Sequence, residues 1–523
     1  MRNTLSTRPV MKLVTAVALA TAMLAAGSAQ AQALDCAALK GSSVANTTIT
    51  AAEEVAAGAF KAPGPDIPGP GGNYAKLPAF CRIAGSIKPT PDSDIRFELW
   101  LPASNWNGKF MQTGNGGAAG SIVYSSMTDP LLRGYAVANT DTGHQGGGGD
   151  FAWGVDHPEK VTDFAYRAVH ELTLTGKALT TKRYGKAPDR SYWLGCSTGG
   201  RQGLKEAQRY PEDYDAIVAG APASNWMSLM ALSIVIQRNL GPGALGMDKL
   251  QLLKEAAIAA CDADDGVKDR VIGLPAQCKF KPASLQCKDG QAAQCLTAAE
   301  VAAADRIYRG VVSGSVTRIP GTGAGSESLW AAYASPQFSI GSSFFRQLVM
   351  KNPGWTPAMF NADTDVDKAE AQDAGAIVAM NPDLAAFFKR GGKLITYHGG
   401  TDGLIPYGNS VNYYQSVLAK LGEQVTRDHV RFYLVPSMEH CSGGEGASQI
   451  DWLTPMEQWV EQGKAPAALV GTHQPLPAGM PGAPAVPGKA FTRPVCAYPQ
   501  AASYKGQGDT SDAANFTCAA PAR

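Results

Sequence analysis

Between residues 95 and 223, short apolar runs rich in β-branched and aromatic residues alternate with stretches whose apolar positions recur at helical spacing. The runs IRFELWLP, KFMQTG, YAVANTD, SYWLG and YDAIVAG are predicted strands, and VTDFAYRAVHELTLTGKALTTKRYG, between the third and fourth, is a predicted crossover helix. This alternation predicts a mostly parallel α/β sheet. After Ala223 the pattern breaks. Helical stretches such as MDKLQLLKEAAIAA alternate with Gly-, Pro- and Ser-rich connections and four closely grouped cysteines, to about residue 389. Sheet-like alternation resumes with KLITYHGGTDGLIPY, a helix NSVNYYQSVLAKLG and a strand RFYLV. The predicted organisation is therefore a core built from residues 34–223 and 390–523, interrupted by an insertion over residues 224–389. The Pro-rich stretch 475–487 reads as a surface connection, and there are no internal repeats.

The first residues change the picture of where the chain works. Arg2, Arg8 and Lys12 precede an apolar run from Leu13 to Ala26 and then small residues, the pattern of a secretory signal peptide over residues 1–31, with cleavage after Ala31 or Ala33. The competing reading, a membrane anchor, needs roughly 20 apolar residues, more than this run supplies. Ten cysteines follow: Cys36, Cys81, Cys196, Cys261, Cys278, Cys287, Cys295, Cys441, Cys496 and Cys518. An even number behind a signal peptide points to disulfides in an oxidising compartment, periplasm or medium. A zinc site is the rival, but no C-x-x-C pair occurs. With a net charge of +1 among 523 residues, nothing favours a polyanionic partner, so nucleic acid is not an expected ligand.

Gly195-Cys196-Ser197-Thr198-Gly199 has the G-x-S-x-G spacing, which means little alone. Here it follows the strand SYWLG and precedes the helical TGGRQGLKEAQRY, the strand-turn-helix setting of a nucleophile elbow. A serine hydroxyl needs a base, and in such folds the order along the chain is Ser, acid, His. Of the later histidines, His398 precedes the best acid, His429 begins a strand and His473 lies by the Pro-rich connection. His440, in the small-residue loop PSMEHCSGG after RFYLV, is the expected base. Asp402, directly after KLITYHG, is the expected acid. One oxyanion donor is expected from the amide of Thr198 and a second from Gly116 or Gly117 in FMQTGNGGAAG, with the glycine run GHQGGGGD at 143–150 as a competing loop. Cys196 precedes the nucleophile and Cys441 follows the base, so a Cys196–Cys441 disulfide is expected to tie the two loops together. The competing use of Cys196, as a free nucleophile, requires an unpaired thiolate in that oxidising compartment.

This arrangement, GCSTGGRQG with a distant Asp and EHCSGG, resembles the tannase and feruloyl esterase family of secreted α/β-hydrolases, which includes hydrolases of mono(2-hydroxyethyl) terephthalate. The resemblance runs from Cys36 to Cys518. It implies an α/β-hydrolase core with a lid inserted after the strand that follows the elbow helix, and a triad of Ser197, Asp402 and His440. It also implies the pairings Cys36–Cys81, Cys261–Cys278, Cys287–Cys295 and Cys496–Cys518. The lid segment CDADDGVKDRVI resembles the family's Ca²⁺ loop, with carboxylates of Asp262, Asp265 and Asp269 and carbonyls of Val267 and Val271 as ligands. It lacks EF-hand spacing, and a solvated acidic turn is the alternative. The implied activity is that of a secreted serine carboxylesterase on small aromatic-acid esters, feruloyl, galloyl or related, with terephthalate monoesters as an alternative. A binding protein that keeps the fold without catalysis is a reading from another class. Trp226, Phe344, Phe345 and Trp355 are lid aromatics available to an acyl pocket or to core packing.

Overall fold

The computed structural model describes residues 33–63, 73–241, 244–288, 293–475 and 488–521, together with residues 1 and 4. The predicted signal peptide, apart from those two residues, and the Pro-rich connection beyond residue 475 lie outside the described residues.

Nine strands form the central sheet: β1 (Thr47–Val55), β2 (Phe80–Ile87), β3 (Ile95–Pro102), β4 (Lys109–Thr113), β5 (Ala136–Thr140), β6 (Arg190–Cys196) and β7 (Ala216–Gly220) come before the insertion. The insertion carries its own hairpin, β8 (Val311–Ser313) and β9 (Val316–Ile319), and the sheet is then completed by β10 (Lys393–Gly399) and β11 (Val430–Val435). The order is β1-β2-β3-β5-β4-β6-β7-β10-β11. Pairs from β5 through β4, β6, β7 and β10 to β11 are parallel, and those joining β1, β2, β3 and β5 are antiparallel. All five strands expected before the insertion form. The pattern does not reveal β1, because TTITAAEEV at the sheet edge has only one buried residue and carries two glutamates; β2, FCRIAGSI, alternates buried and half-buried residues but is also not among the predicted strands.

Alternate residues of the parallel strands face opposite layers, as the period of two requires. Trp193 and Ile217 pack with Phe110, Leu172 and Leu204 on one face. Tyr192 and Val218 pack with Met111, Met456 and Trp459 on the other. In register, Cys196 of β6 lies opposite Gly220, Gly220 precedes the turn beside Tyr397 of β10, and Gly399 lies opposite Val435 of β11. The chain therefore leaves β6, β10 and β11 along one edge of the sheet, where side chains from three distant segments can meet.

The elbow helix Thr198–Arg209 reads as polar yet buries ten of its twelve residues. A small face makes this possible: a Cβ on Gly203 would lie 2.6 Å from the Trp193 ring. The buried cations are matched to carbonyls. Arg201 donates to Ala165, Phe164 and Ile377 oxygens, and Lys205 Nζ donates to Gly375 O at 2.8 Å and to Val378 O. Both therefore clamp the end of the insertion, residues 375–378, to the core.

Among the described residues between Gly220 and Lys393 no strand joins the central sheet. This insertion has a core of its own, continuous with Ala118 and Phe151 of the loops above the sheet. Trp226, Phe344, Phe345 and Trp355 are all buried in it. Phe345 stacks on Trp355 and Trp226 meets Phe344 edge-on, so these four rings are packing residues. Two C-terminal hairpins, β12 (Ala468–His473) with β13 (Phe491–Cys496) and β14 (Ala501–Tyr504) with β15 (Phe516–Ala519), close the chain. Disulfides join Cys36–Cys81, Cys196–Cys441, Cys261–Cys278, Cys287–Cys295 and Cys496–Cys518, leaving no free cysteine.

Candidate active site

Ser197 stands between β6 and the elbow helix at φ 63°, ψ −122°, a backbone region that non-glycine residues rarely occupy. The turn is possible because its flanks lack side chains: a Cβ on Gly195 would lie 2.7 Å from the Gly199 carbonyl carbon. Ser197 N–H donates to Gly220 O and its own carbonyl accepts from Ala223 N–H, so the elbow is fixed from β7 as well. The side is half-open to solvent.

Asp402 and His440 meet at the ends of β10 and β11. His440 Nδ1 donates to Asp402 Oδ2 at 2.7 Å. The acid is fully buried, and its Oδ1 accepts the amides of Leu404 and Ile405, each at 2.9 Å. Burial alone would raise its pKa, but His440 and His398 together outweigh it and hold the carboxyl well below the usual carboxylate range. The Cys196–Cys441 bridge, with Cα atoms 6.0 Å apart, ties the residue before Ser197 to the residue after His440. Among the described residues no hydrogen bond joins Ser197 to the imidazole; such contacts are often long before substrate binds. The other histidines weighed for the base are elsewhere: His429 donates to Gly392 O, His473 to Gly446 O, and His398 lies behind Asp402.

The loop after β4 is locked onto the elbow. Asn115 N–H donates to Gln202 Oε1, Gly199 N–H to Asn115 O, and Thr198 Oγ1 to Gly117 O at 2.5 Å. Ala118, Ala119 and Gly120 amides also have carbonyl partners. Among the described residues this leaves the amides of Gly116, Gly117 and Thr198 without a protein acceptor, three donors beside one serine. The competing glycine run is the support of this loop. Gly148 O accepts from Ala118 N–H at 2.7 Å, and His144 Nε2 donates to Ala118 O at 2.8 Å while its ring stacks on Trp153. Sequence reading missed that support, because only the tertiary pairing of the two loops shows it.

The histidine loop is gripped by the insertion. Lys254 Nζ donates to Glu439, Arg270 pairs with both Glu255 and Glu445, and Ile272 N–H donates to Ser437 Oγ at 2.8 Å. Arg270 sits within the acidic turn. There Asp262, Asp265 and Asp269 each accept a nearby amide on Oδ1, and Arg493 pairs with Asp269. Burial, then the charges of Asp269 and Asp262, push Asp265 up to about 6. That crowding of like charges suits a divalent cation, and oxygen donors suit Ca²⁺. As they stand, however, the three carboxylates do not converge within the 4.8 Å that gathers His170, Glu206 and Asp213. In that second group burial and the Asp213 charge hold the Glu206 carboxyl well above its ordinary range, and His170 Nδ1 donates to Asp213 at 2.6 Å.

With this geometry in view, the relatives are informative. The family model "Tannase and feruloyl esterase" matches residues 81–519. An uncharacterized esterase of Xanthomonas campestris pv. campestris is 35% identical, over 95% of this chain and 92% of its own. A probable feruloyl esterase B-2 of Neosartorya fischeri is 34% identical, over 84% of this chain and 86% of its own. The crystal structure of feruloyl esterase B from Aspergillus oryzae superposes with a TM-score of 0.84 at 31% identity, covering 92% of this chain and 99% of that one. Tannin acyl hydrolase from Aspergillus niger shares the fold, with a TM-score of 0.72 at 24% identity, covering 91% of this chain and 92% of that one. Fold and relatives define a carboxylic ester hydrolase with an α/β-hydrolase fold, acting on a small-molecule ester. The chain belongs to the tannase and feruloyl esterase family.

Proposed function

We propose that this protein is a secreted serine carboxylesterase that hydrolyses esters of hydroxycinnamic or hydroxybenzoic acids, feruloyl and galloyl esters among them, through an acyl-enzyme on Ser197. The observation that carries the reading is the Asp402–His440 hydrogen bond held beside the Ser197 elbow by the Cys196–Cys441 bridge. Ser197 Oγ attacks the ester carbonyl while His440 Nε2 takes its proton. The negative charge developing on the carbonyl oxygen is met by the amide of Thr198 and that of Gly116 or Gly117. His440 then protonates the departing alcohol. Water, deprotonated by the same imidazole, attacks the acyl-enzyme and releases the acid. Asp402 keeps the imidazole oriented and stabilises its charged form.

The substrate class rests on the named activity of the relatives. Secretion is supported by five disulfides and by the pattern of residues 1–31. No described helix is long and apolar enough to cross a membrane. In the inserted lid, Asp262, Asp265 and Asp269, with the carbonyls of Val267 and Val271, would hold Ca²⁺ once the loop tightens. The ion would neutralise the crowded carboxylates and stiffen the turn that carries Arg270. A hydrolysis panel of methyl ferulate, methyl gallate, a terephthalate monoester and an aliphatic p-nitrophenyl ester tests the reading, alongside fluorophosphonate labelling. Preference for the first two and a label on Ser197 are expected; an unlabelled, inactive protein would instead be a binding protein on a hydrolase fold.

A further inference from the structure

His398, the penultimate residue of β10, is completely buried and makes three polar contacts. Nδ1 lies 2.7 Å from Ser410 Oγ, Nε2 lies 2.8 Å from Ile405 O, and the same Nε2 is 3.3 Å from Asp402 Oδ2. The partners fix the tautomer. A backbone carbonyl and a carboxylate only accept, so Nε2 carries the proton, and Nδ1 is free to accept the Ser410 hydroxyl. A neutral ring thus satisfies every one of its polar atoms.

The carboxylate of Asp402 is consequently contacted on four sides: two amides donate to Oδ1, His440 donates to Oδ2, and His398 Nε2, whose hydrogen bond goes to Ile405 O, stands 3.3 Å from the same Oδ2. The amides alone leave the carboxylate able to tilt about Oδ1, whereas a buried ring anchored to Ile405 O with its Nε2 3.3 Å from Oδ2 limits the tilt of the oxygen that His440 uses. The same N–H, through Ile405 O, closes the turn from β10 to the helix Tyr407–Leu421 that supplies Ser410. We propose that His398 is a positioning residue for the reaction, an inner imidazole that holds Asp402 Oδ2 in line with His440. This rests on the reading of Asp402 and His440 as acid and base.

The test uses the full-length enzyme with His398→Leu, His398→Gln and Ser410→Ala, each followed by kcat, KM, melting temperature and the downfield proton resonance of His440 Nδ1–H. Glutamine can donate to Ile405 O and Asp402 and accept from Ser410; leucine can do neither. His398→Leu is expected to lower kcat about tenfold to a hundredfold, the scale of an ångström-sized misplacement, with KM little changed and the Nδ1–H resonance lost or shifted. His398→Gln should recover most of the turnover and the resonance, and Ser410→Ala should lose less in the same direction. Wild-type kcat in His398→Leu, a loss confined to KM, or glutamine no better than leucine would each overturn the proposal. If the leucine variant does not fold, wild-type kcat and resonance in Ser410→Ala overturn it. Asp402→Asn separates the two readings. Full turnover there removes the acid assignment and this proposal together, whereas its expected loss beside an unaffected His398→Leu removes only the role of His398.

Discussion

His144, under the loop after β4, gives a stability prediction with a definite sign. Burial moves its pKa from 6.5 down to about 4, against the backbone contacts at Ala118 and Thr142 that favour the charged ring. Above pH 6.5 the imidazole is neutral in both folded and unfolded chains, and its full contribution is present. As pH falls from 6.5 to about 4 the unfolded chain takes up a proton that the folded one refuses, so stability is lost through that window. A gap from 6.5 to about 4 is worth about 3 kcal/mol. Asp141, a short turn away, acts in the opposite sense: burial pushes its carboxyl up to about 7, so its stabilising effect is complete below 3.8 and lost as pH rises to about 7. The two nearly cancel in the wild-type curve and must be separated by subtraction. His144→Gln keeps a donor for Ala118 O and does not titrate, while Asp141 is common to both proteins. Urea unfolding of each from pH 7.5 to pH 4 should show the wild type losing about 3 kcal/mol relative to the variant. A flat difference across that range would show that the ring titrates alike in both states, and that His144 is not the buried neutral support described above.

Ser197→Ala should cut kcat by about a millionfold, and Asp402→Asn by about ten-thousandfold, both without loss of fold; circular dichroism and single-turnover assays check this. Replacing Cys196 and Cys441 together by alanine should lower kcat even well below the melting temperature, because the bridge is one residue from each partner. It should also lower stability by up to about 5 kcal/mol, the chain-entropy value for a loop this long; unchanged kcat in the folded double variant would confine the bridge to stability. Chelation should lower the melting temperature by linkage, and an unchanged melting point in protein shown metal-free by elemental analysis would mark the Asp262–Asp265 turn as a solvated acidic loop.

How far the sequence foretold these features depended on whether the signal was local. Strands β3 to β7, β10 and β11 announced themselves by apolar runs that both layers bury. Asp402 and His440 stood out through their order after the elbow, and the structure brings them into hydrogen bond. His398 did not, because a residue ahead of the acid in sequence reads as a bystander until the turn through Ile405 folds the chain back on it. The elbow helix misled in the other direction. TGGRQGLKEAQR has the composition of a surface helix, and only carbonyls from residues 164–165 and 375–378, far away in the chain, make its Arg201 and Lys205 tolerable inside. The run at 143–150 looked like a rival oxyanion loop for the same reason: glycine content is visible in sequence, but what the loop packs against is not.

The insertion cannot be regarded as a separable module, because it also holds the loop that carries His440, the proposed base. The loop bearing His440 is joined to the core covalently through Cys441, and to the insertion through Lys254–Glu439, Arg270–Glu445 and Ile272–Ser437. Exposed ion pairs contribute little, but Glu439, Glu445 and Lys254 are each less than one-fifth exposed, so losing a partner strands a poorly hydrated charge. Arg270 lies between Asp269 and Val271, two of the residues placed around the acidic turn, so order in that turn is transmitted to Glu445 within one side chain. Clamped at its other end by Arg201 and Lys205 on the elbow helix, the insertion touches the structures carrying both Ser197 and His440. A substitution in the insertion that breaks one of these few polar ties is therefore expected to disturb the loops carrying Ser197 and His440 even where it lies far from them.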